Sequence, residues 1–209
     1  MKKFLLIGGG LLAVLLVGIL VLVVIAGSSY NRLVSKSQAT DKAWAQVQNV
    51  YQRRADLIPN LVQTVQGAAN FEKSTLVELT EARASVGKIQ INNAPTDAAA
   101  LAEFEKAQGR VSSALSRLLV VVERYPDLKA NANFRDLQAQ LEGTENRISV
   151  ERGNFNNAVQ TYNTAVKSFP EVFYAGAFGF QPRPYFTAKP GAEEVPKVQF
   201  DFGKKAPAK

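Results

Sequence analysis

The chain has 209 residues and a net charge of +7, and it contains neither cysteine nor histidine. The lack of these two residue types excludes thiol nucleophiles, disulfides, Cys/His metal sites and the usual general base at neutral pH. An enzyme would have to work with carboxylates, lysines, tyrosines or serines, so we expect no catalytic residue, no metal and no cofactor.

The positive charge is spread along the chain. Lys2 and Lys3 contribute two charges, the stretch from Gln181 onward contributes a net three, and the remaining two are dispersed through the middle. A nucleic-acid-binding domain shows a concentrated basic face with a recognition motif, and this chain shows neither. Basic ends next to an anionic lipid surface explain the charge better, and no nucleic-acid partner is expected.

A run of 23 residues without charge extends from Phe4 to Ala26. As a helix it measures about 35 Å, enough for a bilayer core of about 30 Å. The alternative is a cleaved signal peptide, whose apolar region measures only about 7–15 residues, with Ala26-Gly27-Ser28 as the cleavage site. We interpret residues 1–29 as a retained transmembrane anchor in a lipid bilayer.

Gly9 and Ala13 form a pair of small residues one helical turn apart within this span. Such pairs let helices approach closely in lipid, although glycine is also common in membrane spans generally. Basic residues flank the span on both sides, Lys2 and Lys3 before it and Arg32 and Lys36 after it. We predict a single-pass membrane protein with the amino terminus inside and the domain exported.

Apolar residues after the span recur at intervals of three and four, which predicts helices. The most regular stripe has a large apolar residue every seventh position and indicates a long, closely packed core helix. Its members are Phe134, Leu141, Ile148, Phe155, Tyr162 and Phe169. Prolines at 95, 126 and 170 lie where stripes end, and strand signals are absent from residues 30 to 170.

These patterns predict an all-α protein, an N-terminal transmembrane helix followed by an antiparallel four-helix bundle with long helices over residues 30–170. The helices are predicted at 28–69, 71–92, 98–124 and 133–169, and the first two either break near Gly67–Asn70 or continue as one bent rod. Thr96 or Asp97 is expected to cap the third helix and Asn133 the fourth.

Two further segments follow the bundle. Residues 171–187 include Phe173, Phe178 and Phe180 and are too apolar for a free tail, so we expect them to pack on the bundle, the membrane surface or a partner. Residues 188–209 are rich in proline and lysine and are predicted to be flexible.

Pro59 stands inside a strong helical stripe, in the stretch YQRRADLIPNLV. Either Asp56 caps a restarted helix, or the helix continues and a neighbouring polar group meets the carbonyl of Ala55 that the proline leaves free. Arg54 and Glu145 both lie between apolar positions, and we predict that they pair. Asp56 and Asn60 would complete a buried network, unless these charges form an ordinary solvated face.

The sequence resembles the LemA family of bacterial membrane proteins over residues 30 to about 202. The resemblance rests on YNRLV, RRADLIPNLVQTV, EAR at 81–83, YPDLKANANFRDLQAQLEGTENRI, FPEVF, FGFQPRPYF and VPKVQFDF. It implies a protein of the bacterial inner membrane, in which a membrane span is followed by an antiparallel helical domain, with no agreed activity. One relative serves in magnetosome membrane formation, which implies a membrane-organising role by analogy only.

Three functions fit these features. The first is a membrane-anchored scaffold that forms a homo-oligomer and organises membrane or partner proteins. The second is an accessory or signalling subunit that binds a membrane-protein partner or a peptide near Pro59. The third is a carboxylate-based hydrolase, which the composition permits but no motif indicates.

Overall fold

The computed structural model describes residues 2–67, 71–89, 91 and 93–187, with side chains from residue 9 onward. The helices are α1 (Lys2–Gln66), α2 (Lys73–Gly87), α3 (Ala98–Val122), α4 (Pro126–Ala130) and α5 (Ala132–Lys167), followed by a 3-10 turn at Glu171–Phe173. The described ranges contain no strand. The all-α prediction is confirmed, and the first two bundle helices are separate, since α1 ends at Gln66 and α2 begins at Lys73.

The predicted span and the predicted first bundle helix are one helix. α1 has 65 residues and is therefore about 97 Å long. Its side chains are exposed from residue 9 to residue 25, and this stretch is long and apolar enough to cross a membrane. From Leu33 to Val65 the same helix carries a buried stripe. α1 thus connects an uncovered apolar half directly to a packed half.

The packed half of α1 forms an antiparallel four-helix bundle with α2, α3 and α5. Leu33 lies by Ala165, Trp44 by Phe155 and Arg54 by Glu145, so α5 runs along α1 in the opposite direction. Ion pairs of Glu78 with Arg117 and Glu72 with Arg124 show the same arrangement for α2 and α3. The core comprises three clusters centred on Leu118, Trp44 and Tyr162.

Several predicted boundaries are wrong by a few residues. α2 ends at Gly87 rather than near residue 92. The chain beyond it turns back so that the carbonyl of Ile91 accepts hydrogen bonds from Trp44 Nε1 at 3.0 Å and Gln48 Nε2 at 2.5 Å. These two bonds satisfy one buried and one half-buried donor on α1, which the helical pattern of α2 alone does not reveal.

The helix caps are partly as predicted. Asp97 caps α3, since its carboxylate accepts from the backbone N–H groups of Ala99 and Ala100. The prediction that Asn133 caps the last helix is wrong, because Asn131 accepts from the N–H groups of Asn133 and Phe134. The short helix α4 was not predicted; Pro126 starts it at a position where the missing N–H costs nothing.

The seven-residue stripe of α5 is buried in five of its six positions. Phe134 to Tyr162 are at most 6% exposed, whereas Phe169 is 78% exposed. α5 ends at Lys167, so the last member of the stripe lies outside the helix and does not point into the core. The prediction that Phe169 belongs to the core is therefore wrong.

The chain after α5 returns to the bundle in two parts. Residues 169–180 fold against the region of Leu33, with Ala175 buried. Residues 181–187 then run along α5, where Asn163 and Asn156 each exchange two hydrogen bonds with the backbone of Arg183 and Phe186 respectively. The predicted flexible tail, 188–209, lies outside the described residues.

The extended geometry of 181–187 follows from these bonds. Asn156 and Asn163 are seven residues apart on a helix, a rise of about 10.5 Å. Three residues from Arg183 to Phe186 cover that distance only when the chain is nearly fully extended, at about 3.3–3.6 Å per residue. Pro182 and Pro184 have no N–H group to donate, so the segment bonds α5 through the N–H groups of Arg183 and Phe186.

Candidate functional site

Arg54 is a charged side chain at the centre of the bundle, only 1% exposed. The apolar stripe of α1 turns it towards the core, because Tyr51 and Ile58 on either side are buried. Its guanidinium lies over the ring of Tyr51, with the carbon 5.0 Å from the ring centroid. A cation in this position requires polar partners from the neighbouring helices.

Two helices supply the partners of Arg54. Nη1 donates to Glu145 Oε1 at 2.5 Å on α5 and to Ser112 Oγ at 2.9 Å on α3. Nη2 donates to the side-chain oxygen of Gln108 at 2.6 Å and to its carbonyl at 3.2 Å. One side chain of α1 therefore cross-links α3 and α5, and the pairing with Glu145 that the sequence indicated is present.

The prediction that Asp56 and Asn60 complete this network is wrong. Both residues are exposed on the outer side of α1, where Asp56 accepts from Gln52 at 2.7 Å and the Asn60 carbonyl accepts from Thr64. The network is completed instead by Gln108 and Ser112 on α3.

Pro59 lies within α1, which continues through it without a restart. The carbonyl of Ala55, which the proline leaves without its helical donor, accepts a hydrogen bond from Arg83 Nε on α2 at 2.9 Å. The helix therefore continues and a neighbouring polar group meets the free carbonyl, as one of the two predicted alternatives has it. Asp56 does not cap a new helix. The proline thereby creates a docking point for α2 on α1.

A cleft of about 530 Å³ opens beside Arg54, between α1, α3 and α5. Arg152 on α5 lines it, donating to Glu105 at 2.6 Å and to the Thr187 carbonyl at 3.2 Å. The Arg152 guanidinium also lies over the ring of Phe186, at 4.4 Å. The cleft therefore ends where the extended 181–187 segment meets the bundle.

Tyr51 forms one wall of this cleft. Burial raises the pKa of its phenol above 10.0, against the opposing effect of the Arg152 and Arg54 charges. The phenol is therefore neutral at physiological pH and can serve as a hydrogen-bond partner but not as a base. Both acidic residues of the cleft, Glu105 and Glu145, are engaged with arginines.

The charged side chains of the cleft are largely paired with one another. The described residues contain no group of acidic side chains arranged to hold a metal ion. The charges of the cleft occur as arginine–carboxylate pairs, with Lys106 as an additional cation. Such a surface offers hydrogen-bond donors and acceptors to a polar partner. The described residues that line it include no nucleophile–base pair.

The remaining predicted residues lie at the other end of the bundle or beyond it. Gly9 and Ala13 are exposed on the apolar half of α1. Phe173 is 77% exposed, whereas Phe178 and Phe180 stack edge-on against Tyr30 of α1, at 5.4 and 5.6 Å between ring centroids. These residues are therefore far from Arg54 and do not share a site with it.

Sequence reasoning missed Gln108, Ser112, Arg83 and Arg152. A signal existed for Gln108, because it lies four residues after Phe104 and three before Val111, on the buried face of α3. Arg83 belongs to the EAR stretch and the Ala55 carbonyl to the RRADLIPNL stretch, two of the stretches that carry the family resemblance. Their contact joins α2 to α1.

Comparison with known proteins supports the same family. Two proteins of Paramagnetospirillum magneticum, "Magnetosome protein MamQ 2" and "Magnetosome protein MamQ 1", are each 26% identical over 183 residues, covering 78% of this chain and 66% of theirs. "Protein LemA" of Metamycoplasma hominis is 24% identical over 140 residues, covering 66% of this chain and 60% of its own. The chain thus spans slightly less than two thirds of the length of these relatives.

The sequence model of the LemA family matches residues 43–200, which include Arg54, Pro59, Glu145 and the extended 181–187 segment. This match covers most of the bundle and extends beyond it. The chain belongs to the LemA family.

Proposed function

We propose that this protein is a membrane-anchored helical scaffold that self-associates and organises membrane or partner proteins. The observation that carries the proposal is the continuity of α1, whose uncovered apolar half leads without interruption into the packed half. A helix of this kind holds the bundle at a fixed distance from the bilayer, as a scaffold requires. The relatives named as magnetosome proteins support a membrane-associated role.

Self-association is proposed to use the face of the span that carries Gly9 and Ala13. Among the described residues, a Cβ placed on Gly9 would meet no atom within 4 Å, so this face of the span is open to a second helix. Small residues at this spacing let a second helix approach closely in lipid. The proposed contact lies between copies, within the membrane.

Mass photometry in mild detergent tests this assembly. We expect an oligomer for the full-length protein and a smaller particle for the double variant Gly9→Leu/Ala13→Leu. The matched control is Gly18→Leu, because nine residues correspond to two and a half turns and place Gly18 on the opposite face of the helix. A monomeric parent protein, or equal loss with the control, would contradict self-association through this face.

The membrane and the orientation are part of the proposal. We propose the bacterial inner membrane with the amino terminus inside and the bundle outside, from the position of Lys2 and Lys3 before the span. The chain has no cysteine, so a single Val150→Cys variant on the exposed face of α5 reports the side of the bundle. Labelling by an impermeant maleimide in spheroplasts supports export, and labelling only after lysis contradicts it.

The cleft beside Arg54 favours a second candidate, an accessory subunit that binds a polar segment of a membrane-protein partner. Lys106 is exposed there, and Arg152 and the carboxylates of Glu105 and Glu145 are partly accessible from solvent. Quantitative affinity isolation from native membranes, with Lys106→Glu as the variant and Lys129→Glu on α4 as the control, tests it. A partner lost with the first variant alone supports the accessory role; identical partner sets oppose it.

A further inference from the structure

The 169–180 segment leaves large apolar side chains uncovered at the end of the bundle where the span emerges. Phe169 and Phe173 are 78% and 77% exposed, their rings stack edge-on at 5.8 Å, and Val172 beside them is half exposed. Apolar groups of this size, side by side on a folded surface, mark a contact site.

The position of the segment relative to the span points to the partner. Phe178 and Phe180 rest on Tyr30, and Tyr30 follows Ala26, the last residue of the apolar run, by only four residues. Four residues of helix correspond to about 6 Å along the axis. If α1 crosses the bilayer, the segment lies at the depth of the lipid headgroups, where aromatic side chains concentrate in membrane proteins.

A basic cleft adjoins the aromatic side chains. It has a volume of about 480 Å³ and is bordered by Arg32 and Lys36 of α1 and by Phe169, with no acidic residue in its lining. Arg32 and Lys36 lie about 9 and 15 Å beyond Ala26 on the helix axis. The charge of Arg32 is compensated by Glu171, so Lys36 supplies the net positive charge that attracts the anionic headgroups of the adjacent leaflet.

The segment is held in this position by its own buried anchors. Glu171 is completely buried and forms an ion pair with Arg32, and Ala175 packs beside Leu33. The half of the segment that faces the bundle is therefore fixed, and the half that carries Phe169 and Phe173 faces away. This arrangement presents the two rings rather than hiding them.

We propose that the 169–180 segment is a second membrane-contact surface, in which Phe169, Val172 and Phe173 insert into the lipid interface beside the span. The insertion depth of such apolar surfaces is about 5–10 Å. Together with α1 it gives the bundle two points of attachment, which fixes its tilt and rotation on the bilayer. The inference rests on the proposed membrane anchoring of α1.

Fluorescence quenching in proteoliposomes tests the proposal on the full-length protein. Phe173→Trp is reconstituted into phosphatidylcholine–phosphatidylglycerol vesicles with brominated acyl chains, which quench only indoles in contact with lipid. The native Trp44 is fully buried and lies about 21 Å beyond Tyr30 along α1, so it contributes an unquenched background. We expect the added indole of Phe173→Trp to emit at shorter wavelength and lose most of its emission.

Two control variants separate the possible failures. Val150→Trp is also on an exposed apolar position, but about 25 Å from the end of α5 at Lys167, and should not be quenched. Leu22→Trp lies in the apolar half of α1 and should be quenched if that half spans the membrane.

Each pattern of quenching has a definite meaning. Quenching of Leu22→Trp and Phe173→Trp, but not Val150→Trp, supports the second contact. Quenching of Leu22→Trp alone overturns the second contact and leaves the anchor intact, and it would point to another copy or solvent at the rings. Absence of quenching at Leu22 overturns the anchor itself.

Discussion

The ion pairs Arg54–Glu145 and Arg32–Glu171 both join α1 to the C-terminal part of the chain, yet they bury opposite partners. The Arg54 side chain is 2% exposed and that of Glu145 is 43% exposed. At the other end of the bundle the Glu171 side chain is fully buried, while that of Arg32 is 53% exposed. The charge that the fold must compensate is therefore a cation in one place and an anion in the other.

The difference shows how each end of the bundle is held. A guanidinium carries five donors, and Arg54 uses those of Nη1 and Nη2 to bond Gln108, Ser112 and Glu145 on two other helices, while its Nε–H has no partner among the described residues. A carboxylate only accepts, and Glu171 has Arg32 as its ionic partner. The central pair thus fixes the relative positions of three helices, whereas the end pair fixes only the 169–180 segment on α1.

The largest effect is expected from Arg54→Ala. The substitution leaves the buried side-chain oxygen of Gln108 without a donor and Glu145 without its cation, and breaking a buried pair costs about 3–5 kcal/mol. We expect the lower part of that range, because Glu145 is half exposed and regains water. Thermal unfolding in detergent, beside the exposed Arg53→Ala as control, measures it. Equal small shifts in both variants would show that the central pair is a solvated surface contact.

Arg32→Ala tests the other pair. It leaves the buried Glu171 carboxylate unpaired, at a cost of about 1–3 kcal/mol that release of the 169–180 segment can relieve. We expect faster hydrogen exchange confined to residues 169–180 and a smaller change in melting temperature than with Arg54→Ala. Lys36→Ala, a neighbouring cation of α1, is the control. A global loss of protection would mean that both ends are held in the same way.

Asn163→Ala tests how firmly α5 holds the extended 181–187 segment, which follows residues 169–180 and is bonded to Asn163. Two hydrogen bonds of 2.8 Å to Arg183 are lost, at about 1 kcal/mol each. We expect increased proteolysis near Arg183, while the exposed Asn157→Ala has no effect. Unchanged cleavage in Asn163→Ala would show that the Asp41–Arg183 ion pair holds the segment without it.

The smallest loss of stability is expected where Arg83 bonds the Ala55 carbonyl, the group that Pro59 leaves without its helical donor. Arg83→Met removes one exposed hydrogen bond to the Ala55 carbonyl, worth about 0.5–1.5 kcal/mol. In a Pro59→Ala background the backbone N–H of residue 59 satisfies that carbonyl, so the cost of Arg83→Met should fall. A double-mutant cycle by chemical denaturation measures this coupling. Strictly additive effects would contradict the role assigned to Arg83.

The apolar stripes contain enough information to predict the helices, their antiparallel order and the inward position of Arg54. Local chemistry also limits the cap of α3 to Thr96 or Asp97 and identifies the Ala55 carbonyl as a group that needs a donor. What the stripes do not contain is the identity of that donor. Arg83 is an exposed residue 28 positions away, and only the docking of α2 brings it there.

Two other errors have the same origin. The periodicity that places Phe134 to Tyr162 in the core extends formally to Phe169, but α5 ends two residues earlier and the ring turns outward. Asparagines at 156 and 163 look like ordinary polar positions, and only the return of residues 181–187 reveals them as backbone partners. In each case the decisive contact lies outside the element that produces the pattern.

We propose that the apolar half of α1 is a retained membrane span, which continues without a break into the first helix of the bundle. Intact-mass measurement of protein isolated from carbonate-washed membranes tests this proposal. We expect a membrane-bound chain that still contains the whole apolar run from Phe4 to Ala26, since this run exceeds the length of a signal-peptide core. A chain beginning near Ser28 or Ser29, released into the soluble fraction, would contradict the claim.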